Sequence, residues 1–224
     1  MALDNESDEN LWICIPTDGK SECLEQIGMN SGVSENRRLL IRTDDGPTIL
    51  NWTNLWTNDS SNINIQKWWN FGIKHCLAGG GRYLALLNDD VIVQEGQLQN
   101  MLNEMLEQNA VMATTALDKN GWGHAFLLDL NYQIFPDERF RWKFGDLDLW
   151  IRAKKMGRVV HTSIKIEHLR PNARTESSKE LQLLDKADRK KFYFKHPEYL
   201  VASFLYRSVF FSKGVSFIRK KVNF

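Results

Sequence analysis

Short, unbroken apolar runs alternate along this chain with longer stretches in which apolar positions recur every three or four residues. "LWICIP" (11–16) has the density of a buried strand and is stopped by Pro16. "SECLEQIG" then predicts a short helix opened by Ser21. "RRLLIRTDDGP" (37–47) predicts a second strand ending in an Asp-Asp-Gly-Pro turn. Residues 51–62, rich in Asn, Thr and Trp, read as a loop. "INIQKWWNFGIKHCLAGG" predicts a helix ended by Gly79 and Gly80. A strand follows at 83–96, and 97–109 places Leu98, Met101, Leu102, Met105 and Leu106 at helical spacing. Residues 110–117 and 124–130 are further strand candidates. "DLDLWIRAKKMG" (146–157) predicts a helix ended by Gly157, and 158–169 a final strand or strand pair. From 178 onward the chain reads as mainly helical.

Strand and helix thus alternate through the first two-thirds, which predicts an α/β sheet with helices on both faces. Ligands of such sheets bind outside the carboxyl ends of the strands. Pro16-Thr17-Asp18, Thr43-Asp44-Asp45-Gly46 and Asn88-Asp89-Asp90 all fall at predicted carboxyl ends. The third is the sharpest anomaly. "YLALLNDDVIVQEG" (83–96) sets an amide and two adjacent carboxylates between two apolar runs, and uncompensated like charges in a core are costly. A polar turn ending the strand would explain them; so would a metal site there. Neighbours in a strand point to opposite faces, so only a turn lets both acids address one site.

Composition adds bounds. With 224 residues, 42% hydrophobic and 25% charged, the chain is one domain, or one domain plus an appendage. A formal net charge of +1 excludes a strong whole-chain attraction for nucleic acid or membrane. The charge is uneven, however. The first ten residues carry Asp4, Glu6, Asp8 and Glu9 and no basic residue, and are expected to be disordered. After Asp185 come ten Lys and Arg residues against only Asp188 and Glu198. Such a basic tail suits an anionic surface, DNA or membrane, although solvated helix faces look the same. Cys14, Cys23 and Cys76 are odd in number and fit neither a zinc site nor a disulfide framework. Together with the lack of a signal peptide before Trp12 and of any membrane-length apolar run, they predict a soluble, cytoplasmic protein.

Asp89 and Asp90, with Asp146, Asp148 and His168 downstream, offer an oxygen-and-nitrogen ligand set. Carboxylates suit Mg²⁺ or Mn²⁺, and an added imidazole tilts the choice toward Mn²⁺. A hard ion with few protein ligands shares its shell with substrate phosphates. No Gly-rich phosphate loop is present, which argues against kinases and ordinary dehydrogenases.

"LWICIPTDG", "LLIRTDDGP", "WWNFGI", "LALLNDDVIVQEGQLQNML", "FPDERFRWKFGDLDLWIRAKKMG" and "IEHLR" occur in that order, and the chain so resembles the GT-A glycosyltransferases of the large inverting family 2 over roughly residues 11–170. The resemblance implies a GT-A sheet over 11–175, after a disordered stretch at 1–10, with a basic helical extension over 176–224. It implies a UDP-sugar or other nucleotide-diphosphate sugar as donor and a divalent metal. Pro16, Thr17 and one of Asp44 and Asp45 would contact the nucleotide. Asn88, Asp89 and Asp90 stand at the family's Asp-X-Asp motif, with Asp90 the metal contact and His168 a further metal ligand. Asp146 stands at the catalytic base. Asn70 lies at a phosphate contact of the family, where Trp69 replaces a common arginine. Gly145 stands where an acid often precedes the base.

Asp146 also reads as a helix N-cap, and Asp148 as an anchor of the same helix or an acceptor contact. Trp52, Trp56, Trp122 and Trp142 lie in loop-like segments where an aromatic can stack on a sugar or a base; Trp122 and Trp142 are the acceptor candidates. The expected activity is hexosyl or pentosyl transfer to a saccharide or lipid-linked saccharide. One alternative is a bacteriophage-type DNA glycosyltransferase acting on hydroxymethylated pyrimidines in the host cytoplasm, which would need the base flipped out. A second is a sugar-nucleotide-binding module that has lost catalysis.

Overall fold

The computed structural model describes residues 10–57, 62–115, 123–169 and 173–199. In chain order the elements are β1 (Leu11–Thr17), α1 (Cys23–Asn30), β2 (Arg38–Arg42), β3 (Thr53–Trp56), α2 (Ile65–Ala78), β4 (Tyr83–Leu87), β5 (Val91–Ile92), α3 (Gln97–Glu107), β6 (Ala110–Thr114), β7 (Ala125–Asp129), α4 (Gly145–Met156), β8 (Arg158–His161), β9 (Glu167–His168), α5 (Ala173–Ser177) and α6 (Lys179–Lys195). Seven strands form one sheet in the order β3-β2-β1-β4-β7-β6-β8, in which only β7 runs antiparallel to its neighbours. β5 and β9 pair as a separate two-stranded sheet.

The unbroken apolar runs follow from burial on both faces of the sheet. One face takes Ile13, Ile15, Leu40, Ala85 and Leu87 against Leu24 and Ile27 of α1 and Leu98, Met101, Leu102 and Met105 of α3. The other takes Cys14, Leu39, Ile41, Leu84 and Leu86 against Trp68, Trp69, Ile73 and Cys76 of α2 and Leu149 and Ala153 of α4. Contact there is close enough that a Cβ on Gly72 would meet Cys14 Sγ at 2.2 Å. Burial pushes both thiols up, that of Cys76 to about 12. The three described cysteines are free.

Three expectations need correction. The stretch 51–62 contains β3, an edge strand parallel to β2. It carries no apolar alternation because its Asn54 is spent on internal bonds: Oδ1 accepts from Arg42 Nη1, and Nδ2 donates to the Ile49 and Trp52 carbonyls. Trp52, placed in a loop by its neighbours, is a core residue. The apolar run at 83–96 is two strands, not one: β4 ends at Leu87, and β5 leaves for the second sheet.

The C-terminal helices pack on the segment that leads into α4. Asp188 of α6 is fully buried, and its Oδ2 accepts from three consecutive backbone N–H groups, those of Arg141, Trp142 and Lys143, at 2.9, 2.7 and 3.1 Å. Phe192 packs on Phe140 and Phe144. Lys191 pairs with Asp188, and Lys195 with Asp137 and Asp148. The basic tail is therefore only partly a solvated surface. Arg219, Lys220 and Lys221 lie outside the described residues. Among the described residues no helix is long and apolar enough to cross a membrane.

Candidate functional site

β1 has parallel neighbours on both sides, β2 and β4, and the connections at its carboxyl end diverge there. This topological switch point is where an open α/β sheet leaves a crevice. The β1–β4 register, Leu11 with Tyr83 through Cys14 with Leu86, has a constant offset of 72, and the same offset carries Thr17 onto Asp89 just beyond the ladder. Thr17 Oγ1 donates to Asp89 Oδ2 at 2.9 Å, and the Ser21 hydroxyl donates to the Asp89 carbonyl. Thr17 Oγ1 also accepts from Gly19 N at 3.0 Å. Asp89 is buried and pins the loop after β1 to the loop after β4.

Residues 89–90 form a turn, yet it does not bring the two carboxylates to one site: Asp90 is paired with His168 instead. The β5–β9 pairing sets Val91 opposite His168, and Leu169 N donates to the Asp90 carbonyl at 3.0 Å. His168 Nε2 lies 3.0 Å from Asp90 Oδ1 and 3.4 Å from the Asn88 amide nitrogen. Their side chains are 20% and 24% exposed for His168 and Asp90. One ring nitrogen cannot both donate to Asp90 and accept from Asn88. A cation between Asp90 and His168 would take the Nε2 lone pair and one carboxylate oxygen together. Among the described residues no group of three or more His, Cys, Asp and Glu side chains gathers for a metal. The pair thus fits part of a coordination shell, with the remainder left to substrate oxygens and water.

His124 stacks on His168 with ring centroids 4.9 Å apart and planes 22° apart. Its Nε2 donates to the Ile166 carbonyl at 2.7 Å, which fixes the ring. The β4–β7 ladder puts it there: Leu87 pairs with Ala125, and Asn88 N donates to the His124 carbonyl. No local pattern marks either His124 or the Ser21 contact, since both depend on register between distant strands.

Asp146 lies in the first turn of α4, one residue inside its start, so it is not the N-cap. Its Oδ1 accepts from Leu147 N at 2.9 Å and its Oδ2 from Gly123 N at 3.2 Å. The missing acid at 145 has a steric reason. A Cβ on Gly145 would lie 2.2 Å from Cδ of Gln66, a buried side chain of α2 that fills that space. The residue before Gly145, Phe144, has a left-handed φ of 67°, a costly conformation for a bulky side chain. It is held by the Asp188 bonds to the three preceding N–H groups.

The other candidates are placed as follows. Pro16 sits in β1 beside Ile41. Asp44 takes Arg42 Nε and Nη2 on its two oxygens at 2.6 and 2.5 Å, and Gly46 N at 3.0 Å. That guanidinium holds its carboxyl below the usual range. Asp44 therefore shapes the loop, and Asp45 is the exposed member of the pair. Asn70 Nδ2 donates to the Pro136 carbonyl at 3.0 Å and Glu138 Oε1 at 2.9 Å, so it ties α2 to the 136–138 segment. Trp69 is buried edge-on against Phe126. Trp142 Nε1 donates to Thr175 Oγ1 at 2.8 Å. Asp148 is corrected as an acceptor contact: it is fully buried, with Lys195 and His196 on Oδ1 and Arg152 on Oδ2. Trp122 lies outside the described residues.

No protein-family model matches the sequence, and no curated protein does. Solved structures do match. S. aureus TarS 1–349 in complex with UDP-GlcNAc superposes with a TM-score of 0.57 at 11% identity, over 80% of this chain and 66% of that one. S. aureus TarS 1–349 alone gives 0.54 at 12%, over 78% and 65%. Glucosyl-3-phosphoglycerate synthase from Mycobacterium tuberculosis, with Mg²⁺ and UDP, gives 0.57 at 9%, over 80% and 77%. The fold is GT-A. Seven mixed strands with helices on both faces and a helical C-terminal part match these nucleotide-sugar transferases in architecture. The chain spans just under two thirds of the TarS 1–349 structures it matches.

Proposed function

We propose that this chain is a metal-dependent, inverting glycosyltransferase that moves a sugar from a UDP-sugar to a hydroxyl of a saccharide or lipid-linked saccharide. One observation carries the reading. On a GT-A fold, at the switch point, the turn at 89–90 carries a buried Asp89 pinned by Thr17 and a partly exposed Asp90 paired with His168. Neighbours of this fold are solved with UDP-GlcNAc, or with UDP and Mg²⁺ or Mn²⁺.

Asp90 and His168 would hold the divalent ion, which when bound stabilises negative charge on the leaving diphosphate. His124 keeps the His168 ring in place by stacking. The loops after β1 and β2, with Thr17 and Asp45, border the crevice in which the nucleotide would lie. Asp146, at the amino end of α4, would accept the proton of the attacking hydroxyl. A single displacement inverts the anomeric centre and needs one carboxylate on the acceptor side, and Asp148 is too buried to be a second. Gly123 N and Leu147 N orient the Asp146 carboxylate.

The DNA-modifying reading loses support, because Lys191 and Lys195 are committed to internal pairs and Trp52 to the core. The inactive-module reading would be favoured by a missing Asp90 or Asp146, and both are present. The test is UDP release from a panel of UDP-sugars with Mn²⁺ and saccharide acceptors. Asp146→Asn is expected to slow turnover about 10²–10⁴-fold while leaving donor affinity unchanged. Turnover at the wild-type rate in that variant would make Asp146 structural.

A further inference from the structure

Helix α6 has two faces with different surroundings. The inner face is fixed to the rest of the fold through Leu181, Asp188 and Phe192, all buried, and through Lys195. The outer face carries Leu183, Lys186, Ala187, Lys190 and Phe194, all exposed. Their spacing of three and four residues makes one stripe along the helix. Phe194 is 91% exposed, more than any other large apolar residue described, and Leu183 is 66% exposed. A single exposed apolar side chain needs no explanation. Two in line with lysines, on a helix held rigidly from behind, are a different matter.

We infer that this stripe of α6 docks the protein on a bilayer surface with anionic headgroups. Leu183 and Phe194 would enter the headgroup–acyl boundary, and Lys186 and Lys190 would meet the lipid charges. Glu180, exposed one turn before Leu183, and Arg189, paired with Asp185, border the stripe; between Leu183 and Phe194 the stripe's own charges are Lys186 and Lys190. The sequence that follows has the same chemistry. Residues 200–224 contain Phe204, Phe210, Phe211 and Phe217 with Arg207, Lys213, Arg219, Lys220 and Lys221, and no Asp or Glu. A nucleic-acid backbone would call for the cations but give the two apolar side chains nothing to enter. The inference does not rest on the catalytic reading, and its test uses neither donor nor metal.

The experiment is co-sedimentation of the full chain with phosphatidylcholine vesicles that are pure or contain about one third phosphatidylglycerol. The wild type is expected to bind the anionic vesicles and not the neutral ones. Leu183→Ser with Phe194→Ser should weaken binding about tenfold or more. Lys186→Glu with Lys190→Glu should do the same and reduce its salt dependence. All four positions face solvent, so an unchanged melting temperature will show that the variants fold. Failure of the wild type to bind anionic vesicles would overturn the inference. So would variants that bind as the wild type does, since the surface would then lie elsewhere. Tight binding to duplex DNA that is insensitive to Leu183→Ser and Phe194→Ser would also overturn it, and would make the surface a polyanion site.

Discussion

Gln66 and Gly145 illustrate how one residue near the candidate base sets the identity of another. Gln66 is buried, so its carboxamide cannot swing into solvent to admit a side chain at 145. Gly145→Ala is therefore expected to cost about 1–3 kcal/mol, the usual range for overpacking. Gln66→Ala should cancel much of that loss, with a coupling of about 1 kcal/mol or more in a double-mutant cycle read by urea unfolding. Additive losses would show that the two positions do not share this space. The same scale separates the two acids of the turn. Asp89 is locked inside by Thr17, and Asp90 stays partly exposed beside His168. A string of letters shows two adjacent carboxylates; their partners on distant strands, Thr17 and His168, give them different surroundings.

At the scale of elements, the decisive feature is that α6 fastens the strand-to-helix connection before α4. Asp188 collects three N–H groups immediately upstream of Phe144, and Asp137 and Asp148 collect cations from α4 and α6. Arg139 chiefly, and Lys195 as well, hold the Asp137 carboxyl well below the usual carboxylate range. Burial alone would raise Asp148, but Lys195, His196 and Arg152 outweigh it and hold that carboxyl low too. A depressed folded-state pKa means that the unfolded chain takes up protons first as pH falls. The stabilisation is therefore complete well above the ordinary carboxylate value of 3.8 and is lost as pH falls through and below it. The urea midpoint should drop between about pH 5 and about pH 3, and drop less in Asp137→Asn. Equal slopes in the two proteins would remove Asp137 from this role. None of this welding is visible in "KELQLLDKADRKKFYFK", whose lysines read as a solvated face. The distant partners, Arg139 for Lys191 and Asp137 and Asp148 for Lys195, lie about fifty residues away in sequence, and local pattern carries no information about them.

At the scale of the whole molecule, the sequence exposes the architecture well because strands buried on both faces must be unbroken apolar runs, and the helices beside them must be amphipathic. β3 escapes notice because it is a short edge strand whose central asparagine is satisfied by a buried arginine. The site is legible where one stretch carries it, as at Asn88-Asp89-Asp90, and illegible where register assembles it. His124 reaches His168 only through the β4–β7 ladder and the β5–β9 pair. The central claim is that this assembled edge binds a nucleotide diphosphate together with a divalent ion. Calorimetric titration of UDP into the wild type and into Asp90→Ala, each with and without Mn²⁺, tests it most directly. Mn²⁺ should raise the UDP affinity of the wild type about 5–150-fold, and by linkage UDP should raise the Mn²⁺ affinity by the same factor. Asp90→Ala should keep the metal-free affinity and lose the increment. An unchanged Mn²⁺-dependent increment in Asp90→Ala, or a wild type that binds no UDP at all, would contradict it.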